Sequence, residues 1–132
     1  MAVAAVVTAC SGTADPQLAI MDEAPAQLPE WFSNPPIEED LARVGDVDQM
    51  HVFAAREGQD SWCIVLAIEP TAGASDWMAA SSCASSERFA EEGVSVTISS
   101  TSDSSALLVP DDFSGQMENG WERINDNLAV RR

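Results

Sequence analysis

The eight residues Ser61-Trp62-Cys63-Ile64-Val65-Leu66-Ala67-Ile68 constrain this chain more than any other stretch. They are rich in β-branched and aromatic side chains, which pack well on a pleated surface and mark a strand. Upstream, Met50 to Arg56 reads as another strand, and Glu57-Gly58-Gln59-Asp60 between the two carries turn residues. The pair predicts a β-hairpin, so the rest of the domain has to be compatible with an antiparallel sheet.

The following segments extend that pattern. Residues 70–76, with Gly73, read as a loop, and Trp77 to Cys83 as a third strand. Ser86 to Glu92 reads as a short helix: Ser85 is a suitable N-cap, Glu87 fits the first turn, and Gly93 stops it. Val94-Ser95-Val96-Thr97-Ile98-Ser99 alternates, which puts Val94, Val96 and Ile98 on one face. Ser99 to Ser105 reads as a polar turn, and Ala106 to Val109 as a strand ended by Pro110-Asp111-Asp112. Gln116 to Ile124 and Asn127 to Val130 read as two final edge strands, and Glu38 to Ala42 as one helical turn after Pro36. The expected fold is α+β: a small, mainly antiparallel β-sheet with one or two short helices packed on a face, over residues 37–132.

A chain of 132 residues suits one domain. It carries 22 acidic residues against six basic ones, all Arg, for a net charge of −16. Nucleic-acid binding is therefore not expected, because neutralising phosphates needs basic patches. Direct attraction to anionic headgroups is not expected either, on the same ground.

The N-terminus supplies an address. An apolar run from Ala2 to Ala9 ends at Val7-Thr8-Ala9-Cys10, followed by Ser11-Gly12. This resembles a bacterial lipoprotein signal, with an apolar stretch, a small residue before the cut and a cysteine that becomes the acylated N-terminus, although Val7 stands where such signals usually have Leu. No Lys or Arg precedes the run, so residues 1–9 are expected to be a truncated signal whose start lies upstream. Residues 10–36 would then be the lipid attachment at Cys10 and a disordered, flexible tether, since Pro16, Pro25, Pro29, Pro35 and Pro36 break it up. The alternative is a buried apolar N-terminal strand with a free thiol. With Cys10 acylated, Cys63 and Cys83 remain as an even pair, and export favours a disulfide between them. If the protein stays in a reducing compartment, the two are free thiols instead.

Cys63-Ile64-Val65-Leu66, Cys83-Ala84-Ser85 before a helix with Phe89, Gly93, Val109-Pro110-Asp111-Asp112-Phe113 and Asp126-Asn127-Leu128 follow one another across residues 43–130. In this arrangement the chain resembles small exported actinobacterial lipoproteins of unknown function. The resemblance implies export, the disulfide and an α+β fold, and implies no activity and no functional residues. The group carries Asp-Gly where this chain has Asp111-Asp112, a departure that bears on the turn type.

Candidate functional residues are few. His51 is the only histidine, and no Ser-His or Cys-His partner is recognisable beside it. Glu38-Glu39-Asp40, Asp46 with Asp48, and Asp103 with Asp111-Asp112 could offer oxygen ligands, but an EF-hand loop starting at Asp46 would need Gly where His51 stands. Solvated acidic faces explain them better. Ser81-Ser82 and residues 99–105 lack a nucleophile elbow. Trp62 and Trp77 read as core, whereas Trp31 and Trp121, flanked by polar residues, read as interface positions. No cofactor and no metal site are expected. The functional expectation is a non-catalytic, membrane-anchored extracytoplasmic domain that binds a protein or cell-envelope component. A small hydrolase or metal-dependent enzyme using acidic residues, and an unlipidated structural protein, are the alternatives.

Overall fold

The computed structural model describes residues 16–23, 25–32, 34–37, 40–58, 60–70, 77–99, 103–115, 117 and 119–131. Eight strands occur among them: β1 (Ala42–Val47), β2 (Met50–Glu57), β3 (Ser61–Ile68), β4 (Met78–Ser85), β5 (Val94–Ser99), β6 (Asp103–Leu108), β7 (Glu122–Asn125) and β8 (Leu128–Arg131). One helix, α1 (Ser86–Glu92), joins β4 to β5, and a 3-10 turn spans Ala19–Asp22. The protein is thus largely β rather than α+β.

The strands form two antiparallel sheets, not one. The first has the order β1-β2-β3-β4 and the second β5-β6-β8-β7. Strand periodicity explains why two sheets are needed. Val52, Ala54, Trp62, Ile64 and Leu66 share one face of the first sheet. Val94, Val96, Ile98, Ala106, Leu108, Leu128 and Val130 share one face of the second, and all belong to a single core cluster. Each sheet covers the other's apolar face. β3 is buried on both sides, since Cys63, Val65 and Ala67 join a second cluster on the outer face of the first sheet. A strand covered on both faces reads as a continuous apolar run rather than an alternating one.

The hairpin, β3, α1 and β5 lie where the sequence pattern puts them. Ser85 Oγ accepts from Arg88 N at 3.3 Å, and Gly93 ends α1 with φ 75°. Other expectations are corrected. The turn read over Ser99–Ser105 is shorter, because β6 begins at Asp103, and its polar start is supported by a Thr97–Ser105 hydroxyl pair at 2.8 Å across the strands. β8 is not an edge strand, since it lies between β6 and β7. Ala42 opens β1 rather than closing a helical turn, and Glu38, Glu39 and residues 71–76 lie outside the described residues.

The expected tether over 10–36 is also corrected from residue 16 onward. Leu18 is buried with Ile20 and Met21 against the main core. Phe32, Ile37 and Leu41 are buried on the outer face of the first sheet, with Leu28 and Trp31 beside them. The apolar side chains between the prolines cover a surface that would otherwise face water. Asp111 fastens this strap: its N–H donates to the Gln17 carbonyl at 2.7 Å, and its Oδ2 accepts from Ala19 N at 2.9 Å. Asn127 Nδ2 holds Asp111 Oδ1 at 2.9 Å and the Val109 carbonyl at 3.0 Å. Asp112 has φ 57°, the left-handed conformation that a Gly in its place would adopt freely. Residues 1–15, including the candidate lipid site Cys10, lie outside the described residues. Among the described residues, no helix is long and apolar enough to cross a membrane.

Candidate functional site

Cys63 on β3 and Cys83 on β4 are direct partners in the antiparallel register, and they form a disulfide. Cys63 is buried and Cys83 exposed, so the bridge runs from the outer face of the first sheet to its edge. Glu57 Oε1 stands 3.4 Å and 3.2 Å from the two sulfurs. Joined sulfurs have no S–H to donate, so these are close contacts rather than hydrogen bonds. Glu57, Cys63 and Cys83 are also the one group of three potential metal donors found close together among the described residues. The cysteine donors are ligands only as thiolates, so the disulfide removes them from that role.

The two candidate interface tryptophans are placed differently from each other. Trp31 is half-buried in an aromatic layer on the first sheet, with ring centroids 5.8 Å from Phe32, 6.3 Å from Trp77 and 5.3 Å from the His51 ring. Trp77 belongs to that layer, whereas Trp62 enters the main core and stacks on Phe89 at 5.0 Å. Trp121 is half-buried over Leu107, Val109 and Ala129 on the outer face of the second sheet, and the Arg131 guanidinium lies over its ring at 4.3 Å. The structure does not bring Trp31 and Trp121 together, since they cover opposite sheets.

His51 lies between two carboxylates. Its Nδ1 is 3.0 Å from Asp46 Oδ1, and its Nε2 is 3.7 Å from Glu69 Oε2. Arg43 also pairs with Asp46 at 2.6 Å. The ring is mostly covered by neighbours, Trp31 among them. Asp48 sits in the tight turn between β1 and β2 with φ 54°. Asp103 starts β6, whereas Asp111 is committed to the strap.

One concavity was not legible in the sequence. A cleft of about 700 Å³ lies where β4, α1 and β5 meet the outer face of the second sheet. Ser82 and Ser85 of β4, Ser95 and Thr97 of β5, and Trp121 and Arg131 are among its lining residues. Its walls come from residues up to 49 positions apart (82 to 131), so no local pattern announces it. Comparison with known proteins finds no matching family model, no similar curated protein and no similar solved structure.

Proposed function

We propose that this protein is an extracytoplasmic domain, anchored to the membrane by lipid on Cys10, that binds a protein or cell-envelope partner without catalysing a reaction. It would stand beside the small exported actinobacterial lipoproteins that it resembles. The observation that carries the reading is the Cys63–Cys83 disulfide. It fits an oxidising compartment, and it leaves Cys10 as the one cysteine available for acylation. The strap from residue 16 onward lies on the domain, so the lipid end would sit close to the folded body rather than at the far end of a long tether. Stable anchoring takes two or more acyl chains, which a lipidated N-terminal cysteine can carry.

The test is intact-mass and peptide-mass analysis of the protein recovered from membranes. The expected result is a chain beginning at Cys10 with a diacylglyceryl addition and a Cys63–Cys83 cross-link. A full-length cytosolic chain with three free thiols overturns the proposal.

A further inference from the structure

The two sides of the sandwich treat their strand edges differently. β1 and β7 form one side. β1 carries Arg43 and Asp46 and a bulge between Arg43 and Gly45. β7 carries Glu122 and Arg123 and a bulge between Arg123 and Asn125. Asn125 Nδ2 donates to the Val44 carbonyl at 3.0 Å and ties these edges together. Charges, bulges and coverage are the devices that protect a sheet edge from further pairing. β4 and β5 are the edges on the other side. Neither contains a charged residue, a proline or a glycine. Both run in unbroken register, from Ser61↔Ser85 to Ile68↔Met78 and from Val94↔Leu108 to Ser99↔Asp103.

Backbone geometry identifies the groups that β4 presents. Cys63 and Cys83 have Cα atoms 4.1 Å apart, the close spacing of a non-hydrogen-bonded antiparallel pair. Their N–H and C=O groups therefore point away from each other, and alternation along the strand puts Ala79 and Ser81 in the same state. Ala79, Ser81 and Cys83 thus direct their backbone groups to the open side, where no strand pairs with β4 among the described residues. Met78, 40% exposed, begins this strand and is the one large apolar side chain left exposed among the described residues. The cleft described above opens at the Ser82–Ser85 end.

We infer that the β4 edge is a docking site for an extended, basic segment of a partner protein, which adds to the first sheet through main-chain hydrogen bonds. This deepens the binding-domain reading and rests on it. Charge chooses the occupant. A second copy would bring another net charge of −16 to the same edge, and like charges oppose that approach. Near the edge, Arg88 is paired with Glu92 and Arg131 lies on Trp121. Glu57, against the Cys83 sulfur, and Glu91, in the cleft, have no ion pair among the described residues. The disulfide clamps β4 to β3, so the edge is held ready before the partner arrives.

The test uses the full chain and a capped eight-residue peptide of alternating Val and Lys, matched in length to β4. Fluorescence anisotropy at low salt reads binding, and amide exchange by NMR reads its location. Saturable binding is expected, with slowed exchange at Ala79, Ser81 and Cys83, and much weaker binding of the Val-Glu counterpart. Ser81→Pro removes an outward N–H, which an edge strand tolerates, and should weaken binding about tenfold or more. Ser81→Ala should leave it unchanged. If Ser81→Pro fails to fold, Ser81→Lys serves by placing a like charge before the peptide. Absent saturable binding, equal binding of the Val-Glu peptide, or indifference to both Ser81→Pro and Ser81→Lys overturns the inference. Slow exchange of the same amides in a peptide-free dimer overturns it in favour of a second copy. The measurement needs no acylation, so its failure and an unmodified Cys10 are separate results.

Discussion

Gly93 is the position where one added methyl group should destabilise this fold most. It follows α1 with φ 75° and ψ −169°, a region that is essentially reserved for glycine. Holding another residue there costs about 1–3 kcal/mol. A Cβ at Gly93 would also lie 2.6 Å from the Leu108 carbonyl oxygen and 2.9 Å from Val109 Cγ1. Neither neighbour has room to retreat, because both residues are fully buried and Leu108 is paired with Val94 on one side and Leu128 on the other. Overpacking of this kind adds roughly 1–3 kcal/mol. Gly93→Ala should therefore lose about 4 kcal/mol, within a range of about 2–6. Gly58→Ala is the control: φ is 67°, but nothing lies within 4 Å of the added Cβ. It bears the backbone penalty alone, about 1–2 kcal/mol. Urea unfolding of both variants with the disulfide intact measures the difference. Values within about 0.5 kcal/mol of each other, the scatter of ordinary surface changes, would refute the steric argument.

Replacing Cys63 with Ala and Cys83 with Ser opens a loop of sequence separation 20 and should lower stability by about 3 kcal/mol. The urea midpoint should fall by about 1–3 M, and an unmoved midpoint counts against a structural role for the bridge. Asn127→Ala removes the donors to the Val109 carbonyl and to Asp111 and should destabilise by about 1–3 kcal/mol. Because Asp111 also holds Gln17 and Ala19, limited proteolysis should cut the 16–23 strap sooner in this variant. Unchanged cleavage there would show that Asp111 does not fasten the strap.

Several elements were legible because their causes are local. Ser85 and Gly93 bound α1, since a hydroxyl can cap a helix and a glycine can leave it whatever lies around them. β5 shows its buried face in its own alternation. β3 shows itself through its β-branched and apolar run. β1 was missed because Arg43, Gly45 and Asp46 interrupt its pattern, and its register breaks between Arg43 and Gly45 to accommodate them. The strap was misread for a related reason. Its prolines speak for disorder, while Leu18 and Phe32 are held by surfaces that come from elsewhere in the chain.

Local residue chemistry is enough to mark the β2–β3 hairpin, the limits of α1, β5, the acidity and the candidate acylation and disulfide cysteines. Tertiary packing sets the two sheets and places Trp31 and Trp121 on opposite outer faces, and among the described residues no further strand pairs with the outer edges of β4 and β5. The physical reason is that capping and periodicity act within a few residues, whereas the covering of a face or an edge depends on which distant segment closes over it.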